Sequence, residues 1–174
     1  MWPRSDCAWI QGMILLCYDG SEDAQAAVEL TVSLFAGQPI TVVAVWEPYT
    51  EIISHEGWGF GFGYAPPPAD VERIDDSVRS HASGAVDDAV RRLTEKGLDA
   101  TGRVESARGS IASTILAVGD ELDADAIVIG TRGHSGIKSL LLGSVSHGVV
   151  QHADRPVLVV PSEPVAAGRR GGNG

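Results

Sequence analysis

The sequence predicts an α/β fold: a single doubly wound domain whose parallel sheet is covered by helices on both faces. Two observations carry this expectation. Short apolar runs without polar alternation recur along the chain, as strands buried on both faces require. A segment of helical period separates each run from the next, and short strands alternating with helices make a parallel sheet. The length of 174 residues, 44% of them apolar, suits one domain with one core.

The elements follow in order. Met13–Tyr18 is a continuous apolar run closed by Asp19, Gly20 and Ser21. Ser21 can cap a helix with Glu22 and Asp23 in its first turn and Ala24, Ala27, Val28, Leu30 and Leu34 as its apolar positions. Ile40–Trp46 is rich in β-branched residues and predicts the second strand. Val71, Ile74, Val78, Ala82, Ala85, Ala89 and Leu93 recur at three and four residues, and Gly97 is a natural stop for that helix. Thr101–Ser106 alternates and is the weakest strand candidate, completing a five-stranded set. Ser110 precedes an amphipathic helix carrying Ile111, Ile115, Val118 and Leu122. Ala126–Ile129 ends at Gly130 as a buried strand. A last helix follows Gly143-Ser144, with Val145, Val149 and Val150, and stops before Pro156. Val157–Val160 is the final strand.

Three segments stand apart. Residues 1–11 read as an N-terminal extension to a domain at 12–161, and 162–174 as a loose, Gly- and Ala-rich tail. Tyr49–Ala69 alternates glycine with Trp58, Phe60, Phe62 and Tyr64 before three prolines. A stretch of this length is either a disordered insertion or a lid or contact surface.

Charge narrows the partners. Thirteen Lys and Arg against 23 Asp and Glu give a net charge of −10, with no basic run, so neither nucleic acid nor an anionic membrane is the expected partner. No apolar stretch reaches the roughly 18 residues a membrane span needs, and the start lacks the apolar core of a signal peptide. The two cysteines, Cys7 and Cys17, form no disulfide framework or zinc set, and a reducing cytoplasm is the expected compartment.

The chemistry concentrates between Gly130 and Ser146. The stretch leaves a buried strand and enters a helix, where ligands of doubly wound sheets bind and where free N–H groups hold phosphate. Arg132 and Lys138 either add positive charge or are merely solvated. The spacing Gly130-x2-Gly133-x9-Gly143-Ser144 is neither a phosphate loop of the Gly-Lys-Ser/Thr type nor a dinucleotide fingerprint. It resembles the ATP-binding signature of the universal stress protein family. The likeness extends to Asp19-Gly20-Ser21 after the first strand, to Ala124–Gly130, and to Arg155-Pro156 with the final strand, over about residues 12–161.

The resemblance implies a Rossmann-like sheet of five parallel strands and the nucleotide-binding subclass. Asp19 would lie near adenine and ribose. Cys17 and Val45, at corresponding strand positions, would line the adenine pocket. Gly130, Arg132 and Gly133 would sit against ribose and phosphates, and Gly143, Ser144, Val145 and Ser146 would hold the phosphates. ATP is the expected ligand, with ADP or AMP as alternatives. Mg would be carried by the phosphates with Asp19 nearby. A homodimer would pair through Val157–Val160.

Each residue also has a plainer role: a tight turn for Gly130 and Gly133, a helix N-cap for Ser144, and joint capping with Ser21 for Asp19. His134 sits in the glycine loop, whereas His55, His81, His147 and His152 show no ligand spacing. No nucleophile elbow is present, and no second carboxylate partners Asp19 for phosphoryl transfer. The expected function is a dimeric regulatory module that binds ATP in a stress response. The alternatives are a slow ATP hydrolase or phosphotransferase, or a partner-binding scaffold using residues 49–69.

Overall fold

The computed structural model of the chain describes residues 12–51, 66–133 and 142–162. Five strands, β1 (Ile14–Cys17), β2 (Ile40–Trp46), β3 (Ala100–Ser106), β4 (Ala126–Gly130) and β5 (Val157–Val160), form one parallel sheet in the order β3-β2-β1-β4-β5. The weak third candidate is thus a full strand. It sits at one edge, where its alternating, half-polar pattern is satisfied by solvent on one side. β1 and β4 are neighbours without being consecutive, so the chain reverses its direction of travel across the sheet between them.

Among the described residues four helices cover the sheet: α1 (Glu22–Leu34), α2 (Pro68–Glu95), α3 (Ile111–Glu121) and α4 (Ser144–His152). Strand alternation divides the core between two faces. On one, Ile14, Leu16, Val42 and Val128 pack against Ala27 and Val28 of α1 and Ala89 and Leu93 of α2. On the other, Leu15, Val43, Ile127 and Ile129 pack against Ile115 and Val118 of α3 and Val149 of α4. Full burial of side chains of this size contributes roughly 1.5–3 kcal/mol each.

Local chemistry sets the helix ends. The Ser21 hydroxyl accepts from the Ala24 N–H at 3.2 Å, and Ser110 and Ser113 make a reciprocal capping box at α3. Gly97, at φ 83°, takes the left-handed conformation that ends α2. Gly148 lets α4 lie directly on α3, since a Cβ there would stand 2.9 Å from that of Ala112. At the opposite end of the sheet from Asp19, Arg155 acts as a clamp. Its Nη1 donates to the carbonyls of Gly119 at 2.7 Å and Ala124 at 2.9 Å, which ties the entry of β5 to the end of α3.

The structure corrects several expectations. α2 begins at Pro68, two residues inside the proposed insertion, with Pro at its first turn where no N–H is needed. Tyr49–Glu51 are helical, and the Tyr49 N–H donates to Asp75 of α2 at 2.8 Å. Ser162 is not loose: it is buried, and its N–H donates to Asp23 at 3.1 Å. Four apolar helix positions are exposed, Leu34, Ile74, Val78 and Val150, whereas the buried positions of α2, Val86, Ala89 and Leu93, all fall in its second half. Residues 1–11, 52–65, 134–141 and 163–174, with Cys7, His55, His134, Lys138 and the aromatic–glycine run, lie outside the described residues.

Candidate functional site

A cavity of about 480 Å³ opens at the carboxyl ends of β1 and β4. The position follows from topology. Where two adjacent strands send their connections in opposite directions, their loops diverge and leave a crevice. Its apolar floor is Cys17, Val43, Val45 and Ile129, all on the sheet face that α3 and α4 cover, and Ile111 and Ile115 of α3 form the facing wall. All ten residues singled out from the sequence line this cavity: Cys17, Asp19, Val45, Gly130, Arg132, Gly133, Gly143, Ser144, Val145 and Ser146. The strand register corrects one detail. Cys17 pairs with Val43, and Val45 stands two residues further along the same face of β2.

The loop after β4 is held at both ends. Thr131 N–H donates to Val160 O at 2.9 Å, and Gly143 N–H donates back to Thr131 O at 2.8 Å. The Ser146 hydroxyl is buried and donates to the same Thr131 oxygen at 2.8 Å, so it closes the base of the loop. Ser21 Oγ donates to Arg132 O at 3.2 Å, and the Ser21 N–H donates to Asp19 Oδ1 at 2.9 Å. Asp19, Ser21 and the loop are therefore one connected framework.

The glycines serve close approach. A Cβ on Gly130 would lie 2.9 Å from the backbone of Asp23 and Ala24, so this glycine lets α1 start against β4. On Gly133 it would lie 2.5 Å from Asp19 Oδ2, so this glycine makes room for that carboxylate. Ser144 is not the N-cap of α4. Gly143 is, with no side-chain cap and no acidic residue in the first turn, in contrast to α1. The first-turn N–H groups of a helix lack internal partners, and here Ser144, Val145 and Ser146 of that turn all line the cavity.

Two charged groups define the loop. Asp23 is buried and accepts from Thr131 Oγ1 and the Ser162 N–H. Burial pushes its carboxyl up, but hydrogen bonds from Ser162, Thr131 and the Arg132 backbone together outweigh this and hold it below its ordinary value. Arg132 differs: its Nε is buried and has no hydrogen-bond partner among the described residues. Burial, reinforced by Asp19, pushes the Cys17 thiol far up, so it stays protonated and serves as an apolar floor rather than a nucleophile. Burial also raises Tyr18, against the pull of Arg92 and with help from Asp88 and Asp19. Among the described residues no cluster of three or more His, Cys, Asp or Glu is arranged to hold a metal, and no helix is long and apolar enough to cross a membrane.

Sequence reasoning passed over Tyr18, Ala24, Val43, Glu47, Ile111, Ile115 and Ile129, which also line the cavity. For Val43 and Glu47 the signal was present, since they share the parity of Val45 on β2. Ile111 and Ile115 arrive through packing of α3 across the sheet and carry no local sign.

The chain is similar to known proteins along nearly its whole described length. The model of the universal stress protein family matches residues 13–161. The universal stress protein YxiE of Bacillus subtilis is 31% identical over 147 residues, covering 84% of this chain and 97% of that one. The chain spans about half the length, 48%, of the universal stress protein Rv1996 of Mycobacterium tuberculosis, at 30% identity. Among solved structures, the hypothetical protein MJ0577 superposes with a TM-score of 0.70 at 21% identity, covering 87% of this chain and 96% of that one. A universal stress protein of Archaeoglobus fulgidus in complex with dAMP superposes at 0.56 and 24% identity, covering 87% and 98%. Further family structures of the same fold were solved with AMP and with cAMP bound. With a family model matched from the first strand to the last, the chain belongs to the universal stress protein family.

Proposed function

We propose that the cavity binds an adenine nucleotide and that the chain works as a nucleotide-dependent regulatory module rather than by rapid turnover. The observation that carries this reading is the buried Nε of Arg132, without a hydrogen-bond partner among the described residues, in a residue that lines a cavity where α4 begins without a side-chain cap. A buried donor without an acceptor costs about 1–3 kcal/mol, and a phosphate supplies the missing acceptor. The apolar slot between the sheet and α3 suits a flat heterocycle, and the volume lies within the usual range for small-molecule sites. The nucleotides in the related structures, AMP, dAMP and cAMP, support the adenine assignment.

ATP is the form we assign, with ADP and AMP as alternatives, and Mg is carried on its phosphates near Asp19. In this proposal the module is a cytoplasmic homodimer. β5 ends the sheet, so one of its edges has no strand partner within the sheet, and Val157–Val159 are only half-buried. A second copy pairing there would cover the apolar edge.

The test is mass spectrometry of the denatured purified protein together with calorimetry at millimolar ATP. Adenine nucleotide found by either method is the expected result, and its absence from both overturns the reading. Gly143→Leu, which places a large side chain at the start of α4, is expected to abolish binding with the far-UV CD spectrum unchanged. Light scattering at low micromolar concentration is expected to give the mass of a dimer.

A further inference from the structure

Glu47 is a carboxylate in the wall of an otherwise apolar slot, and neither the motif nor the loop accounts for it. It follows directly on β2, and its parity continues the row Val43–Val45 on the face toward α3. All three line the cavity. Glu47 is half-buried, and among the described residues its side chain makes no hydrogen bond or ion pair. The anion-binding groups lie elsewhere: Arg132 follows β4, and Ser144 begins α4. β1 separates β2 from β4, so two strand spacings, about 10 Å, divide the two ends of the cavity.

A carboxylate at that distance from the phosphate end faces the other end of the ligand. Ionised, it only accepts hydrogen bonds, so it favours a ring edge that donates. We infer that Glu47 determines specificity by accepting a hydrogen bond from the exocyclic amino group of the bound heterocycle. This rests on the adenine-nucleotide reading and deepens it, because the 6-amino group is the donor that adenine presents. A purine without that group leaves the carboxylate desolvated and unpaired. Hydrogen bonds to charged groups are strong enough for the difference to reach roughly tenfold or more in affinity.

The experiment is calorimetry on the full chain with three probes, AMP, purine riboside 5′-monophosphate and GMP. The second has the shape of AMP but no amino group. The wild-type chain is expected to bind AMP roughly tenfold or more tightly than purine riboside 5′-monophosphate. Glu47→Leu is expected to bring that ratio to about one by weakening AMP, with affinity for purine riboside 5′-monophosphate retained. Glu47→Gln keeps an acceptor and is expected to restore part of the ratio. A merely structural role would lower both ligands together, so parallel losses overturn the proposal. So does an unchanged ratio in Glu47→Leu. GMP bound more tightly than AMP, with that advantage lost in Glu47→Leu, would mean that the carboxylate reads the guanine edge, and overturns it too. If the wild-type chain binds none of the three, the adenine-nucleotide reading itself has failed; if it binds AMP with no role for Glu47, only this inference has.

Discussion

Asp23 and Arg132 flank the same loop and are tied through the Arg132 backbone, yet they are opposites. Asp23 is a buried charge whose partners all come from the protein: Thr131, Ser162 and the Arg132 main chain. Arg132, which lines the cavity, has a buried donor with no partner among the described residues. A charge the protein itself satisfies supports the fold. A donor left over beside a cavity is the group that the proposed function assigns to the ligand. In the proposed reading, one loop thus has a structural shoulder at Asp23 and a receptive shoulder at Arg132.

That contrast can be broken first at Asp23. Asp23→Ala leaves the Ser162 N–H buried without an acceptor and the Thr131 hydroxyl with only the longer bond to the Val160 carbonyl, at 3.4 Å, and is expected to cost about 3 kcal/mol. At this chain length that lowers the melting temperature by roughly 6–12 °C, measured by CD. The pH dependence follows from the same geometry. The carboxyl lies below its ordinary value of 3.8 in the folded state. Its contribution is therefore complete above that value and is lost as pH falls through the lower folded one. Asp23→Asn is expected to flatten this part of the acid limb in denaturation curves taken below about pH 4. An unchanged acid limb would remove Asp23 from the structural side of the comparison.

Gly130→Ala acts on the same shoulder with a smaller effect. The new methyl lands within 2.9 Å of the start of α1, and the crowding is expected to cost about 2 kcal/mol in urea unfolding. Arg132→Gln should change stability least, with a melting temperature within about 2 °C of wild type, while lowering nucleotide affinity roughly tenfold by calorimetry. If instead it destabilises the fold as Asp23→Ala does, the two shoulders are not distinct.

The comparison also marks how far the sequence reads. Buried strands are legible because an unbroken run such as Ile127–Ile129 can only be covered on both faces. The cavity lining at Asp19, Gly130 and Gly143 is legible through the resemblance of the glycine spacing and of the Asp19-Gly20-Ser21 turn to the family signature. The cause is less legible. Gly130 is small for the sake of α1, which spacing alone does not disclose. The hydrogen bond from Ser162 to Asp23 spans 139 residues, and the clamp from Arg155 to Gly119 spans 36. No local pattern encodes such partners, because one end of each bond is a main-chain group that every residue type carries. Ile74 and Val78 mislead in the opposite sense: helical period marks an apolar face of α2 but not which part of its length is buried, here the second half.

The strand order carries a consequence for how the molecule is made. Synthesis runs from the N-terminus, so β1, β2 and β3 with α1 and α2 emerge before β4 exists. Until then β1, the central strand of the finished sheet, is an open border with bare main-chain groups along its β4 side. The cavity also lacks the loop after β4 and α4 at that stage, although α3 has already emerged. The groups proposed to meet phosphate, Arg132 and the first turn of α4, are thus the last of the cavity to be made, so the nucleotide of the proposed function would act as a lock on the finished molecule rather than a template for it.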